Sequence, residues 1–543
     1  MNSSELVTSP VPPALADEKQ RRGARSRELA PWLAVAALTI VGAVLRVAVA
    51  HQSLFADELS TYWISATHGL GGVLSLLYSS GRIHHAEITP PLSFLATWVS
   101  TRFGHSAELL RAPALLAGTA TIPLIYLLGL RTIGRRAALV ATALATFAPF
   151  MIYYSSEARA YGLMMFLVVG STLSMLIATD TGRRRWWALY AVSSAAAFYT
   201  HYTCAFVLGA QFLWLLWAHP HARRPALLAN VAAAALVIPW IPGLVNDFTS
   251  PTVKILAALS PFDAFDVRID LEHWAVGYPY TFAAGLGKIP GTPALLLLGG
   301  SALLAGGGLI PRLRRRSLQS IDRRVLLVVL LALAAPLGDA VVSATGNHIL
   351  IVRNLAASWP YLAFSGAAAL SAALAPMRYM AAGLAIVAFA LGAAKMLSPR
   401  YRRPDYGVAA AFVARGARPG DVVIDETGGL SPGPTTGLDV SLTRRLPIIR
   451  ALSPAERDHP FGFSDPIVPL SRAVSQATAA AHGHRIFVVF NQFTTTDIEG
   501  LSRRLSPATP RFRDGYRLVE RREWPGIGAT LVSVYQVTGA AGG

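Results

Sequence analysis

Long apolar stretches constrain the fold of this chain more than any other feature, because a helix of roughly 20 apolar residues crosses a membrane. Charged residues make up only 14% of the sequence, against about 25% in soluble globular proteins. We therefore predict a polytopic α-helical membrane protein. The eleven predicted spans cover approximately residues 31–50, 107–130, 137–154, 161–178, 186–200, 203–218, 226–245, 292–310, 325–342, 355–375 and 379–397.

Basic residues predict the orientation of these spans. With the N-terminus in the cytoplasm, the inner segments contain roughly three times as many Lys and Arg residues as the outer segments up to residue 353. This distribution follows the positive-inside rule, and the reverse orientation would violate it. The net charge of +18 is accordingly assigned to topology, and we expect no nucleic-acid partner.

One further apolar segment, residues 90–103, is predicted not to cross. Its fourteen residues would rise only about 21 Å as a helix, and the hydrocarbon core is about 30 Å thick. Counting it as a span would also move the basic clusters after residues 130 and 182 to the outside. We predict a helix in the outer interface, within a long external loop over residues 51–106.

The start of the chain has two possible interpretations. Residues 31–50 follow a basic stretch and end in Ala48-Val49-Ala50, which resembles a signal-peptide cleavage site. The basic leader is longer than a typical signal peptide has, and the apolar stretch is long enough to cross. We expect a cytoplasmic basic tail over residues 1–30 and an uncleaved first span, which opens a membrane domain over residues 31–397.

Residues 398–543 differ in composition from the membrane domain. Strand-like runs occur at 421–426, 485–492 and 530–537, and an amphipathic helix is predicted before the first of them, ending near Gly416. Alternating helix and strand favours an α/β domain. An odd number of spans places this domain outside the cell. The expected location is the cell membrane, with the C-terminal domain extracytoplasmic.

Four short polar motifs stand out, and each has an ordinary explanation when taken alone. An acidic pair in a loop is usually solvated, a Glu and an Arg in a turn often form a surface pair, loop histidines are commonly exposed, and a boundary arginine often anchors a helix at the interface. The predicted topology places all four at the outer membrane boundary, where lipid headgroups lie. The motifs are Phe55–Trp63, His84–Leu92, Tyr153–Tyr161 and Arg353-Asn354.

Taken together, the order and the sidedness of these motifs resemble the GT-C superfamily of membrane glycosyltransferases, in the branch of protein O-mannosyltransferases and lipid A aminoarabinose transferases. The resemblance covers roughly residues 31–400. This chain has Thr89 where the family more often has His, and Glu157 where the family often has Asp. The matching residues are Asp57/Glu58, Thr89-Pro90-Pro91-Leu92, Tyr154-Ser155-Ser156-Glu157-Ala158-Arg159-Ala160-Tyr161, Thr200-His201-Tyr202 and Arg353.

The resemblance implies a polyprenyl-phosphate sugar as donor and an inverting displacement. Asp57 is implied as general base, with Glu58 and Glu157 as further catalytic residues. Arg353 and Arg159 fit the donor phosphate, since guanidinium binds phosphate bidentately. Glu157 could orient Arg159, bind the sugar, or hold a divalent cation, Mg²⁺ or Mn²⁺, together with Glu58. The candidate substrate-binding residues are His85, Glu87, Tyr154, Tyr161, His201 and Tyr202.

The sugar and the acceptor are not readable from the residues. The Ala- and Arg-rich composition favours mannose or arabinose donors used in cell-wall biogenesis, with a glycan, glycolipid or protein as acceptor. A flippase or transporter of lipid-linked sugars is the main alternative, and a sensor that binds through its outer domain is another. A transporter should place polar groups at mid-membrane, whereas these spans are nearly free of charge.

Overall fold

The computed structural model describes residues 13–79, 87–250, 253, 262–279, 285–315, 322–427, 435–443, 445–452, 468–492, 512 and 515–537, without the side chains of 13–28 and 310–315. The N-terminal part contains helices and no strand among its described residues. Its helices are Pro13–Ala50, Asp57–Thr67, Leu70–Tyr78, Leu92–Ser100, Ala107–Thr132, Arg135–Phe147, Pro149–Ser155, Tyr161–Thr181, Arg184–Phe198, Cys204–Ala218, Arg223–Val237, Ile241–Thr249, Ala264–Ala275, Thr292–Arg315, Arg323–Ser343, Trp359–Ala372 and Met377–Met396.

Within the described residues, seven helical segments are long and apolar enough to cross a membrane. This confirms a polytopic helical membrane protein. The remaining predicted spans coincide with shorter helices or with a bent pair, so the number eleven and the orientation stay predictions, as do the domain limits at residues 30 and 397. The seven segments are Leu29–Ala50, Ala107–Thr132, Tyr161–Thr181, Pro220–Thr249, Gly287–Leu309, Arg323–Ser343 and Met377–Met396.

The predicted span at 137–154 is broken. Arg135–Phe147 and Pro149–Ser155 meet at a 60° bend. Pro149 causes the break, because proline lacks an N–H group and disfavours helical dihedrals in the residue before it, and Ala148 is extended (φ −62°, ψ 121°). The second helix of this pair carries the chain directly into the turn at residues 155–160.

A small residue sets the distance between this turn and its neighbouring helix. Gly118, in the 107–132 helix, lies so close to Ser155 that a Cβ atom at Gly118 would be 2.1 Å from the serine hydroxyl. Small residues at helix contacts are the usual way for helices to approach closely in membranes. The turn that contains Glu157 and Arg159 is thereby held directly against the 107–132 helix.

The region between the first two spans is more ordered than the sequence suggested. Its acidic motif begins the Asp57–Thr67 helix rather than lying in a loop, and Leu70–Tyr78 is also helical. The helix predicted within 90–103 is confirmed as Leu92–Ser100, which starts directly after Pro91. It is docked by a hydrogen bond from Leu92 N to Tyr199 O (2.9 Å). The three short helices of this region therefore pack against one another, and Leu92–Ser100 also packs against the 107–132 helix.

Among the described residues, the C-terminal part forms one sheet of six strands, β1 Val422–Glu426, β2 Ile448–Leu452, β3 Val468–Pro469, β4 Ile486–Gln492, β5 Tyr516–Trp524 and β6 Ala529–Val537. The strand order in the sheet is β3-β2-β1-β4-β6-β5. Strands β1 to β4 are parallel, and β4, β6 and β5 pair antiparallel. The helix and the three strands that we predicted are confirmed, but β2, β3 and β5 were missed. The helices of this part are Tyr406–Gly416, Gly437–Ser441 and Leu470–Ala481.

The sheet domain packs against the segment that follows the first span of the membrane domain. Arg403 N donates to Gln52 Oε1 (3.0 Å), and Gly407 N donates to Ser53 Oγ (3.3 Å). Val440, from the short 437–441 helix, packs against a buried apolar cluster made of Leu54, Leu59, Leu110 and Ala158. The two domains therefore meet at the residues that flank the acidic pair.

Impermeant thiol reagents test the predicted orientation. In a Cys204→Ala background, cysteines at the exposed positions Thr67 and Ser475 should be labelled in intact cells, and one at the exposed Thr181 should not. All three should react after permeabilisation, which controls for accessibility. Labelling of the Thr181 variant in intact cells would show that the topology is inverted.

Candidate active site

A cavity of about 350 Å³ lies where the ends of several helices meet. Its lining contains charged, hydroxyl and imidazole groups as well as apolar side chains. The polar lining residues are Asp57, Glu87, Thr89, Arg159, Tyr161, His201, Tyr202, Thr203, Asp247, Asn347, His348, Arg353 and Asn354. The apolar lining residues are Ile88, Pro90, Phe198, Ala205, Phe206, Leu244, Phe248, Val253, Val342, Ile349 and Ile351.

Asp57 and Arg353 form an ion pair at the cavity wall. Arg353 Nη1 donates to Asp57 Oδ2 at 2.7 Å, although the two residues are nearly 300 positions apart. Both side chains remain partly accessible, Arg353 at 33% and Asp57 at 23%. The structure thus brings together the predicted general base and one predicted phosphate ligand, in a place that a small molecule can reach.

The turn that presents Asp57 has an unusual backbone. Ala56 has φ 51° and ψ −125°, which matches the second position of a type II′ turn, where glycine is preferred. The turn is closed by Glu58 N donating to Phe55 O at 3.1 Å. A residue held in such a region costs of order 1–3 kcal/mol and persists only when its surroundings fix it.

Glu58 is one of the residues that fix this turn. Its side chain is not part of the cavity lining. Arg111 donates to both of its carboxylate oxygens, Nε to Oε1 at 2.7 Å and Nη2 to Oε2 at 2.6 Å. The backbone N–H of Ala158 donates to Oε1 at 2.8 Å. Burial raises the pKa of Glu58, but the guanidinium groups of Arg111 and Arg403 outweigh burial and hold that pKa below its ordinary value.

Arg159 faces the cavity but already holds a carboxylate. Its Nη1 and Nη2 donate to the two oxygens of Glu87 at 2.7 Å and 3.0 Å. Nη2 also donates to Thr89 Oγ1 at 3.0 Å, and Nη1 donates to Thr61 Oγ1 at 3.3 Å. Orienting Arg159 is one of the three roles considered above for Glu157, but the structure places Glu87 in that position.

Glu157 lies behind the cavity wall, close to the acidic pair. Burial, together with the negative charges of Glu58 and Asp57, raises the pKa of Glu157 to about 7. Its Oε2 atom is buried and has no hydrogen-bond partner among the residues that the structure describes. A carboxyl in this position changes its charge near neutral pH, next to the residue predicted to act as base.

Aromatic residues and a histidine line the side of the cavity next to Arg159. The Tyr161 and His201 rings lie 5.3 Å apart between centroids. Burial, and then the charges of Arg353 and Arg159, lower the pKa of His201 to about 3, so this imidazole is neutral at physiological pH. Tyr154 lies behind Tyr161 and outside the cavity lining, and His85 lies outside the described residues.

Asp247 is a cavity residue that the sequence analysis missed. It is buried, and its Oδ2 accepts a hydrogen bond from Tyr202 Oη at 2.5 Å, while Tyr202 Oη accepts from Trp240 Nε1 at 2.9 Å. Phe248 stacks on Tyr202 at 5.7 Å. The signal that could have found it is a lone acidic residue directly after an apolar span. The cavity lining therefore includes a third carboxylate besides Asp57 and Glu87, and this one lies beside an aromatic platform.

The predicted divalent cation at Glu58 and Glu157 does not fit these contacts. Both Glu58 oxygens face the Arg111 guanidinium, which occupies the directions that a cation would need. Among the described residues, no group of three or more His, Cys, Asp or Glu side chains is arranged to hold a metal ion. We derive no role for a metal at this pair.

Comparison with known proteins supports the resemblance drawn from the motifs. Residues 88–242 match the family described as dolichyl-phosphate-mannose-protein mannosyltransferase. No curated protein matches the chain at significant similarity. The structure is similar to ArnT from Cupriavidus metallidurans bound to undecaprenyl phosphate, with a TM-score of 0.51 and 15% identity, covering 94% of this chain and 98% of that one.

Two further solved structures are similar. ArnT from the same organism in the apo state gives a TM-score of 0.50 at 15% identity, covering 92% of this chain and 97% of that one. The oligosaccharyltransferase AglB from Archaeoglobus fulgidus gives 0.49 at 12% identity, over 85% and 70% of the two chains. The predicted resemblance to GT-C membrane glycosyltransferases is confirmed, and at this identity the likeness to ArnT is one of fold.

The raised pKa of Glu157 predicts how stability depends on pH. A carboxyl whose pKa rises on folding from 4.5 to about 7 stabilises the fold below pH 4.5, and this contribution is lost as the pH rises through 7. Glu157→Gln, which is always neutral, should therefore become more stable than the wild type by about 1–3 kcal/mol near pH 8. Thermal unfolding in detergent at pH 5 and pH 8 measures the difference.

The control for this measurement is Glu272→Gln. Glu272 is half-exposed in an i,i+4 pair with Arg268, so its variant should differ from the wild type by a similar small amount at both pH values. If Glu157→Gln shows no greater stability relative to the wild type at pH 8 than at pH 5, Glu157 is ionised throughout and the assignment of its environment is wrong.

Proposed function

We propose that this protein is a glycosyltransferase that moves a sugar from a polyprenyl-phosphate donor to an acceptor hydroxyl on the outer face of the cell membrane. The observation that carries this proposal is the cavity itself. In it, a carboxylate, Asp57, lies against the guanidinium of Arg353, and Arg159 is also part of the lining. Apolar side chains line the same cavity. A donor made of a phosphate, a sugar and an apolar chain matches this mixed lining.

The proposed reaction is a single displacement. The acceptor oxygen attacks the anomeric carbon, the bond between that carbon and the phosphate oxygen breaks, and the hydroxyl proton passes to Asp57. A carboxylate that faces the cavity can accept this proton. Because one displacement inverts the anomeric centre, a β-linked donor would give an α-linked product.

Arg353 is the proposed phosphate ligand. Guanidinium has five N–H donors, and Asp57 engages Arg353 through Nη1. When a donor phosphate binds to Arg353, Asp57 would exchange its ion pair for contact with the acceptor hydroxyl. Arg159, clamped by Glu87, would add positive charge at a fixed distance, since its bidentate pair and its threonine contacts leave it little freedom to move.

The aromatic side of the cavity is the proposed position of the sugar. Tyr161, the neutral His201, and Tyr202 with its Asp247 partner present ring faces and hydrogen-bonding groups suited to a polyol. Mannose or arabinose remains our proposal for the sugar, with a cell-envelope glycan, glycolipid or protein as acceptor. The matching family is described by dolichyl-phosphate mannose, and the similar ArnT structure holds undecaprenyl phosphate. Both descriptions support a lipid-phosphate donor.

The role of Asp57 is testable by substitution. Asp57→Asn should keep donor binding but lose turnover by about 10²–10⁴-fold, which is the usual contribution of a general base. Transfer from radiolabelled polyprenyl-phosphate mannose and arabinose by purified protein measures this. Asp263→Asn is the matched control, because Asp263 is an exposed helix cap and asparagine caps equally well. Near-normal turnover in Asp57→Asn would exclude Asp57 as the base.

The role of Arg353 is separable from that of a membrane anchor. Lysine anchors a helix boundary as well as arginine does, but it cannot reproduce the bidentate guanidinium contact with phosphate. Arg353→Lys should therefore fold and insert normally and raise the KM for the lipid-phosphate sugar by about tenfold or more. Arg268→Lys, in an exposed helix pair, should leave the KM unchanged. A wild-type KM in Arg353→Lys would assign Arg353 to anchoring.

A further inference from the structure

We propose that Arg403, in the segment between the last membrane helix and the sheet domain, is a positioning residue for Asp57. It acts by holding the strained turn at Ala56 through Glu58, so that catalysis in the membrane domain depends on how the sheet domain is docked. The kinetic part of this inference rests on the proposed function. The structural part does not.

Arg403 lies beside the turn although it is distant from it in sequence. Its side chain is 2% exposed. Its Nε lies 3.5 Å from Glu58 Oε2, and its guanidinium carbon lies 4.5 Å from the centre of the Tyr153 ring. A buried guanidinium is tolerated only where charges and aromatic faces replace water. Here the carboxylate of Glu58 and the ring of Tyr153 provide that environment.

The carboxylate that Arg403 approaches forms a second bridge across the turn at Ala56. Glu58 Oε2 accepts a hydrogen bond from the backbone N–H of Phe55 at 3.2 Å, which spans the strained Ala56. Arg111 holds the same carboxylate and also donates to the carbonyl oxygens of Ala50 and Ser53 at 2.7 Å and 3.0 Å. Arg403 thus adds a second cation to the group that fixes the path of the chain into Asp57.

Arg403 also acts on the charges around the turn. The carboxyl groups of Asp57, Glu58 and Glu157 lie close enough to influence one another, and Arg403 opposes the negative charge of Glu58 and favours the ionised form of Glu157. Without Arg403, Glu58 would lose one of the two cations that favour its ionised form. Its carboxylate would then hold the backbone of the turn less firmly.

The sheet domain fixes the position of Arg403. The hairpin turn between β5 and β6 holds the preceding residue, because Ile527 N donates to Arg402 O at 2.8 Å. Gly526 packs so closely on the same carbonyl that a Cβ atom would lie 3.1 Å from it. Arg403 N in turn donates to Gln52 Oε1 at 3.0 Å. Docking of the hairpin therefore places Arg403 beside Glu58.

Arg403→Gln in the full chain tests the proposal, with Arg402→Gln as the matched control. Arg402 is the exposed neighbour, so its variant removes the same charge at the adjacent position. Arg403→Gln should lower kcat at least tenfold and change the KM for the donor by less than about twofold. The kcat of Arg403→Lys, which keeps a positive charge, should lie between that of the wild type and that of Arg403→Gln. Arg402→Gln should match the wild type in both constants.

The Ala56→Gly substitution distinguishes a positioning role of Arg403 from a general contribution to domain stability. Ala56→Gly removes the backbone strain, so the turn no longer needs the second cation. The double variant Ala56→Gly/Arg403→Gln should recover kcat to within about threefold of the wild type. A residue that only stabilised the domain contact would not be rescued by a glycine in the turn.

Hydrogen exchange gives a measurement that does not depend on activity. In purified full-length protein, the amides of Glu58 and Leu59 should exchange at least tenfold faster in Arg403→Gln than in Arg402→Gln, and the double variant should restore their protection. Equal exchange in the two single variants, or equal kcat, would overturn the proposal. If the wild type transfers no sugar, the proposed function fails, and the exchange measurement still decides the role of Arg403.

Discussion

The buried ion pair between Glu58 and Arg111 is the contact on which the site depends. It joins the segment after the first span to the 107–132 helix, and through Ala158 N it reaches the turn before the 161–181 helix. Removing one partner from a buried pair leaves an uncompensated charge, which destabilises a fold strongly. The pair therefore fixes three segments that are distant in sequence, and the cavity is the space that they enclose with the later helices.

Much of this architecture could be predicted from the sequence. Apolar stretches identified the helices, and the charge pattern placed Asp57, Arg159 and Arg353 at the same helix ends, where the structure brings them to one cavity. Strands with long apolar runs, such as β4, were found. By contrast, β3 has two residues and β5 is exposed along most of its length. Neither strand carries a burial pattern that sequence could reveal.

The partners of the charged residues could not be predicted, and the reason is physical. Glu58 and Asp57 are adjacent and both acidic, yet one faces a buried arginine and the other faces the cavity. The helix that begins at Asp57 decides this by pointing successive side chains in different directions. Glu87, rather than Glu157, holds Arg159 for the same kind of reason, since both are acids in segments that connect longer helices and only three-dimensional packing selects between them.

The hydrogen bond from the β5–β6 hairpin to Arg402 has a consequence for biosynthesis. A ribosome completes the first span and the acidic pair early, and the membrane helices that form the cavity wall follow in order. The hairpin that places Arg403 beside Glu58 is made only after all of these. A nascent chain would therefore hold the helices of the cavity before Arg403 reaches Glu58. The surroundings of Asp57 would be completed only when the sheet domain folds against these helices.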